Sequence, residues 1–328
     1  MLKYIIQRIL ISIPLILIIS ALVFIIIKLP PGDFFDQYRI KLEQQGERVD
    51  QQTLDQLRAD YGLDQPGPIQ YFKWITGIVL RGDFGYSFEY NRPVTDLIWE
   101  RLFLTIVINL FVIGIIWVVA IPIGVFSSTH KYSLLDYALN FIAFIGTGMP
   151  GFVLALVVMW LAYYYTGADV GGLFSRDYVT ALWSLDRVID LLKHIWVVVI
   201  VLAVGGTASL IRTMRANMLD ELPKPYVATA RAKGLRERDV VRKYPLRVAL
   251  NPFISGVGTV FPNLLSGSQV TAIVLNLPIT GPMLLQALLA QDMFLAGGFI
   301  LILSVAGIIG TLISDILLAI ADPRIRYD

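Results

Sequence analysis

The sequence predicts an all-α, polytopic membrane protein with six transmembrane helices and a small extracytoplasmic domain after the first of them. Hydrophobic residues make up 56% of the 328-residue chain and charged residues 16%, whereas charge is nearer a quarter in soluble globular proteins. The hydrophobic residues gather into six long segments, each able to cross about 30 Å of hydrocarbon as a helix. Basic residues collect in the connections that would share one side of the membrane.

The first apolar segment runs from Ile9 to Ile27, after Lys3 and Arg8. A secretory signal peptide also begins with positive charge, but its apolar core is shorter and a small-x-small cleavage site follows. Here the sequence continues Lys-Leu-Pro-Pro instead. We therefore expect a retained transmembrane helix over residues 1–28.

Residues 29–101 form the predicted extracytoplasmic region. The segment from Lys28 to Arg101 is polar, with nine basic and twelve acidic residues. A helix is expected from about Gln51 to Tyr61, with Gly62 as its stop. A disordered loop is the alternative, but a later stretch offers apolar surface worth burying, which favours a folded domain. Its apolar residues are Tyr71, Phe72, Trp74, Ile75 and Ile78.

Residues 102–328 contain the other five apolar segments. They run approximately over Leu102–Ser127, Leu134–Tyr165, His194–Ile211, Pro252–Leu277 and Phe294–Ala321. The second of these five is too long for one straight helix. The stretch "GTGMPGF" (Gly146–Phe152) is expected to kink it, because proline deletes a backbone donor and clashes with the preceding turn.

The distribution of basic residues orients the six predicted spans. An even number of spans places both termini on one side, and short cytoplasmic connections carry an excess of lysine and arginine. The connection Pro278–Met293 on the opposite side has no basic residue. Both termini are therefore expected in the cytoplasm. The basic residues of that side are Lys3, Arg8, Lys131, the cluster within Arg212–Arg247, Arg324 and Arg326.

Motifs of enzymatic chemistry are absent from the sequence. There is no cysteine, and His130 and His194 are far apart, so no metal site is expected. No G-x-x-x-x-G-K-[ST], H-E-x-x-H or G-x-S-x-G motif occurs. Ion-coupled carriers usually place ionisable groups at mid-membrane, and the predicted spans place none there. An enzyme is not expected, and a transport function would draw its energy from a partner.

Residues 213–247 form a basic, alanine-rich connection on the predicted cytoplasmic side. Pro223 and Pro225 suit the entry to a short helix and Gly234 suits its exit. Alanines at every second position would let another surface approach closely, with charge beside them. A solvated loop, a helix on anionic lipid and a docking element for a cytoplasmic partner all fit this composition.

This connection resembles a known family. The motif "YVATARAKGL" (Tyr226–Leu235), followed by "YPLRVALNP" (Tyr244–Pro252), is similar to the cytoplasmic coupling loop of bacterial ABC importer permeases of the dipeptide/oligopeptide/nickel type. Further similar motifs follow in order along nearly the whole chain. They are "PPGD" (Pro30–Asp33), "YGLDQPGPIQYFKW" (Tyr61–Trp74), "GDFGYSF" (Gly82–Phe88), "RPVTDLIWERLFLT" (Arg92–Thr105), "MPGF" (Met149–Phe152), "QD" (Gln291–Asp292) and "SDILLAIADPRIRY" (Ser314–Tyr327).

The resemblance implies a type I ABC importer permease in the cytoplasmic (inner) membrane of a bacterium or archaeon. Its implied partners are a second homologous permease subunit, two cytoplasmic ATP-binding subunits, an extracytoplasmic substrate-binding protein and membrane lipid, with no nucleic acid. No cofactor is expected in this chain, since the partner subunits would bind ATP and magnesium. The residues expected to couple to the ATPase are Tyr226, Thr229, Ala230, Arg231, Ala232, Lys233, Gly234 and Leu235.

The sequence leaves the cargo open between peptides and oligosaccharides. The peptide subgroup often carries a glutamate before a Pro-Gly turn in the fifth span, where this chain has Ala272 and then "LNLPITGP" (Leu275–Pro282). A self-powered channel or secondary carrier is the alternative function. Polar residues of the fifth span suit a hydroxyl-rich cargo and equally suit interhelical hydrogen bonds. The residues expected along the translocation path are Pro150, Phe152, Gln269, Thr271 and Asn276.

Overall fold

A computed structural model describes residues 2–29, 32, 34–44, 55–56, 58–59, 62–167, 171–179, 181–256 and 269–321. Helices dominate this part of the chain. Their bounds are α1 Leu2–Lys28, α2 Phe34–Gln44, α3 Gly67–Arg81, α4 Val94–Thr129, α5 Leu134–Gly148, α6 Gly151–Thr166, α7 Leu185–Glu221, α8 Pro225–Ala232, α9 Glu237–Lys243, α10 Pro245–Ala249, α11 Gln269–Val274, α12 Thr280–Leu289 and α13 Met293–Ala321. A short antiparallel pair joins β1 (Tyr86–Ser87) to β2 (Arg92–Pro93).

Among the described residues, four helices are long and apolar enough to cross a membrane: α1, α4, α7 and α13. The α5–α6 pair makes a fifth candidate span with a bend of 105° between its halves. The predicted kink is confirmed there as a complete break, because α5 ends at Gly148 and Pro150 immediately precedes α6. The predicted span Pro252–Leu277 includes residues 257–268, which lie outside the described residues, so the count of six stays a prediction.

The predicted extracytoplasmic helix is described only in part. Residues 55–56 and 58–59 are helical, whereas 51–54, 57 and 60–61 lie outside the described residues. Gly62 has a φ of +67°, a conformation that glycine adopts without steric cost, and its N–H donates to the carbonyl of Ala59 at 3.0 Å. Gly62 therefore ends this turn as predicted.

The chain divides into two compact units. One consists of Met1–Thr105 and Ile279–Ile308, and the other of Ile106–Pro278 and Ile309–Asp328. The predicted extracytoplasmic region, 29–101, therefore shares its compact unit with α1, α12 and the first part of α13.

The hairpin β1–β2 of the first unit is bound to the turn between α12 and α13 through Asp292. The buried Asp292 carboxylate accepts hydrogen bonds from the Ser87 hydroxyl at 2.6 Å and from the N–H groups of Leu295 at 3.2 Å and Glu89 at 3.3 Å. Beneath it, Ile98 and Phe299 are completely buried in the same core. The hairpin is thus fixed by the hydrogen bonds of Asp292, in a unit whose apolar core contains Ile98 and Phe299.

We expect the stability of this contact to depend on pH. Burial raises the pKa of the Asp292 carboxyl, against the opposing hydrogen bonds from Ser87 and from backbone N–H groups. The folded state then binds this proton more tightly than the unfolded chain, so its contribution to stability is present at low pH and is lost as pH rises through the raised pKa. The thermal unfolding midpoint of the wild type should therefore fall relative to that of Asp292→Asn as pH rises. A constant difference between the two proteins would contradict this assignment.

In the second unit, α7 packs against α5, α6 and α10. It runs from Leu185 to Glu221, well beyond the predicted apolar segment His194–Ile211, because polar turns continue the helix at both ends. The Ser184 hydroxyl caps its start by accepting from the N–H of Arg187 at 3.2 Å. The extension carries α7 as far as the basic connection.

Helices α4 and α7 approach each other closely at Gly124. A Cβ on Gly124 would lie 2.5 Å from Cβ of the fully buried Met214 and 3.0 Å from the carbonyl oxygen of Ile211. Gly124→Ala should therefore overpack this crossing, at a cost of about 1–3 kcal/mol in unfolding free energy. Gly114→Ala is the matched control on the same helix, since a Cβ there meets nothing within 4 Å. Thermal unfolding of both variants in detergent tests this, and equal stability would refute the close approach.

Candidate functional site

The predicted short helix of the basic connection is confirmed as α8, Pro225–Ala232. Proline suits its first position because an N–H is not needed there and φ is already helical. Gly234 follows with a φ of +77°, and its N–H donates to the carbonyl of Arg231 at 2.9 Å. A left-handed glycine ends a helix without the strain that a Cβ would bring, so both limits of α8 have a local cause.

One face of α8 packs inside the connection and the other is exposed. Val227 and Ala230 are buried with Val240 of α9, and Tyr244 packs against them. The exposed side of α8 carries small residues, namely Ala228, Thr229 and Ala232. Tyr226, Arg231, Lys233, Gly234 and Leu235 are also exposed.

Ala230 requires a correction. Ala230 was predicted to lie in the contact with the ATPase, but it is only 3% exposed. It belongs to the buried cluster that Val227 of α8 and Val240 of α9 form between the two helices. Ala230 therefore supports the shape of the connection from within and is not part of its exposed face.

An ion pair links α8 to α9. The Arg231 guanidinium donates to the Glu237 carboxylate from Nη2 at 2.7 Å and from Nε at 3.1 and 3.2 Å. This hydrogen bonding lowers the pKa of the Glu237 carboxyl. Because both side chains are largely exposed, the pair contributes little to stability. Its two-point geometry instead fixes the orientation of the turn around Gly234.

A second polar contact fastens α8 to the end of α7. The buried Glu221 carboxylate accepts hydrogen bonds from the Lys224 ammonium and the Tyr226 hydroxyl. Tyr226, expected at the ATPase contact, is therefore also an anchor within this chain. Glu221 was not among the predicted residues, although the Glu-x-x-Lys spacing at a helix end was a usable signal.

Apolar packing completes the base of the connection. Met214 and Met218 of α7 form a buried cluster with Ala249 and Phe253. The Asn217 side chain donates to the carbonyl of Ala249 at 3.2 Å. Together with the Glu221 contact, this packing fixes α8, α9 and α10 to the end of α7.

A buried ion pair joins α7 to the start of α5. The Arg215 guanidinium donates to both oxygens of Asp136, from Nε at 2.9 Å and from Nη2 at 2.8 Å. Asp136 is 1% exposed. It also accepts from the Tyr132 N–H at 2.9 Å, from Asn140 at 2.6 Å and from the Ser127 hydroxyl. All acceptor positions of the carboxylate are occupied, as a buried charge requires.

The structure brings some of the predicted path residues together. The Pro150–Phe152 segment approaches α11, where a Cβ on Gly151 would lie 2.9 Å from the Thr271 hydroxyl oxygen. Thr271 is buried in this contact, Gln269 is partly buried, and Phe152 is 39% exposed. Asn276 is exposed just after α11 with a φ of +51°. A role for these residues along a path stays a prediction.

Comparison with known proteins identifies the family. Residues 120–327 match the family described as "Binding-protein-dependent transport system inner membrane component". Residues 1–109 match the corresponding N-terminal family, "Binding-prot-dependent transport system membrane comp, N-term". The chain belongs to this inner membrane component family. It is therefore a multi-pass membrane permease subunit of a binding-protein-dependent ABC importer, and such subunits are not themselves enzymes.

Relatives of this permease match it from end to end. The oligopeptide transport system permease protein AppB of Bacillus subtilis (strain 168) is 35% identical over 328 residues, covering 100% of both chains. A putative peptide permease protein of Brucella suis biovar 1 (strain 1330) is 32% identical over 99% of both chains. The dipeptide transport system permease protein DppB of Alkalihalophilus pseudofirmus is 29% identical over 100% of both.

Proposed function

We propose that this permease forms half of a translocation channel and converts ATPase movement into movement of its spans. The second half would come from a homologous permease subunit, and two cytoplasmic subunits would bind ATP and magnesium and hydrolyse ATP. The observation that carries this proposal is the exposed small-residue face of α8, whose opposite face is packed on α9 and fastened to α7. Small side chains on this face would let α8 lie close to the surface of a groove in a partner. Because α8 is fixed to α7 and α9, a displacement of α8 by that partner would be transmitted to them.

The transmission route follows contacts within the second unit. Movement of α8 would pull on the end of α7 through the hydrogen bonds of Glu221. Six residues before Glu221, Arg215 holds Asp136 at the start of α5. Helix α5 leads to the break before Pro150, where a bend costs no further backbone hydrogen bonds. Displacement of α8 would therefore reach the predicted path residues by way of α5.

The orientation follows from the basic residues. We propose that both termini and the α8–α10 connection face the cytoplasm of a bacterium or archaeon, with six spans and residues 29–101 outside. The exposed surface of the connection is rich in arginine and lysine, as expected on the cytoplasmic side.

The cargo is proposed to be a di- or oligopeptide. The support is that relatives matching the whole chain are named as oligopeptide, dipeptide or peptide permeases. An oligosaccharide is the second candidate, favoured only by the neutral side chains of Gln269, Thr271 and Asn276. Uptake of labelled peptides and of labelled oligosaccharides by the same transport system, in competition with each other, separates the two.

We propose that residues 29–101 help to receive the substrate-binding protein. Asp55 offers an exposed carboxylate there, bonded to Arg58 at 3.2 Å. Reversing its charge in Asp55→Lys should weaken stimulation of ATPase activity by loaded binding protein and leave basal ATPase activity intact. Unchanged stimulation would instead favour a region that only packs on its own spans.

Reconstitution tests the proposed function as a whole. The purified permease pair and ATPases, placed in lipid vesicles, should take up cargo only with both ATP and the binding protein present. Uptake by this chain alone, without the ATPase subunits, would overturn the proposal in favour of a self-powered channel or carrier.

A further inference from the structure

Helix α3 carries an exposed apolar stripe. Ile69, Phe72, Val79 and Leu80 are 47%, 64%, 70% and 78% exposed. Their spacing of three, seven and one residues places them along one side of a helix. The other side of α3 is buried through Gln70, Trp74 and Gly77. The helix is thus apolar on a face that no described residue covers.

Helix α3 is attached to α1 through Tyr71. The Tyr71 hydroxyl and the Ser20 hydroxyl are hydrogen bonded at 2.8 Å, and the Phe24 ring lies 5.6 Å from the Tyr71 ring. Ser20 lies eight residues before the end of α1, about 12 Å along a helix, inside a candidate membrane span. Helix α3 therefore lies beside the apolar part of α1. An exposed apolar stripe beside a candidate membrane span suits a lipid surrounding.

A cavity of about 140 Å³ adjoins the buried side of α3. Lys73 and Arg81 line it with exposed side chains, and neither side chain forms an ion pair or hydrogen bond among the described residues. Asp83 is the one carboxylate in the described lining, and it already accepts from the N–H of Gly85 at 2.9 Å. The lining therefore carries an excess of positive charge.

Trp74 forms part of the buried wall of the same cavity. Its side chain is 7% exposed, and its indole nitrogen has no accessible surface through which a ligand could reach it. An oxygen-rich anion in the cavity would supply acceptors for the ammonium and the guanidinium.

We propose that this cavity binds the phosphate of an anionic phospholipid whose acyl chains lie along the apolar stripe of α3. Charge complementarity selects an anion, and continuity with the lipid-facing surface of α1 selects a lipid over a soluble partner. A basic amphipathic helix with an aromatic anchor is typical of an element seated at the membrane interface. The site lies near the Lys28 end of α1 and does not depend on the transported cargo.

The test uses the complete transport complex, purified through a tag on this chain from bilayers that mix phosphatidylglycerol with phosphatidylcholine. Native mass spectrometry and lipid extraction measure the phosphatidylglycerol retained. The double variant Lys73→Gln/Arg81→Gln should bind it about 10- to 30-fold more weakly, since each basic residue near an anionic surface contributes about 1 kcal/mol.

The matched control is Arg92→Gln/Lys193→Gln, which removes the same charge from exposed positions outside the cavity lining. It should retain the lipid as the wild type does. Equal retention in the cavity variant would overturn the proposal. So would stabilisation of the complex by millimolar inorganic phosphate as strongly as by the lipid. Unchanged lipid retention with weakened stimulation by the binding protein would assign the cavity to an acidic protein segment instead.

Discussion

Asp136→Ala is expected to destabilise the second unit by about 3–5 kcal/mol, because it leaves Arg215 charged and without its partner in a largely buried position. The lost carboxylate also leaves the Tyr132 N–H and the Asn140 amide without acceptors. Loss of a buried charge partner costs more than the pair itself contributes, since the remaining ion keeps its desolvation penalty. The permease should then show a much lower unfolding midpoint or fail to accumulate in the membrane.

A double-mutant cycle makes the prediction specific. Asp136→Leu/Arg215→Met removes both charges and should recover much of the stability that either single variant loses. Glu237→Ala is the control for an ion pair of similar geometry on the surface, and it should change stability by less than about 1 kcal/mol. Thermal unfolding in detergent compares five proteins: the wild type, Asp136→Leu, Arg215→Met, the double variant and Glu237→Ala. If the double variant is as unstable as the sum of the singles, the buried charge is not the cause.

The Asp136–Arg215 cycle also reports on coupling. The double variant should restore folding without restoring the two-point link between α5 and α7. Under the proposed function, ATPase activity in that variant should persist while cargo uptake per ATP falls. Normal uptake would show that α5 receives the displacement of α8 by another route.

Ala232→Trp is expected to impair transport by weakening the association with the ATPase subunits, while leaving the chain folded. Ala232 lies on the exposed face of α8, opposite the buried Val227 and Ala230. An indole there would not strain the chain itself, but it would overpack a closely fitted partner groove by about 1–3 kcal/mol. That cost corresponds to roughly 5- to 150-fold weaker association with the ATPase subunits. Co-purification of the ATPases and cargo uptake are the measurements.

Two further substitutions by tryptophan separate docking from folding. Ala230→Trp should lower the stability of the connection itself, because its side chain would enter the space held by Val240 and Tyr244. Ala59→Trp, at an exposed position in residues 29–101, should leave ATPase co-purification unchanged. A normal complex and normal uptake with Ala232→Trp would show that the partner does not sit on this face.

Local signals in the sequence were sufficient for the limits of α8 and for the break between α5 and α6. Proline at Pro225 and glycine at Gly234 act on their own backbone, so no distant residue is needed to place the helix. The same holds for the stretch Gly148–Gly151, where α5 ends and α6 begins. The sequence did not predict that the Ala230 side chain is buried, because alanines occupy both faces of α8 and leave no hydrophobic periodicity.

The sequence by itself determined the membrane class, most of the spans, the short helix α8 and the family, since apolar length, helix boundaries and ordered motifs are properties of neighbouring residues. The tertiary structure alone decided which polar groups meet. Arg215 reaches Asp136 across 79 positions, and Ser87 reaches Asp292 across 205. Each such pair depends on how helices pack, and in a single sequence nothing distinguishes a paired aspartate from an unpaired one. Packing also turned Ala230 inward and set Lys73, Arg81 and Trp74 around one cavity, because only the folded chain defines an inside.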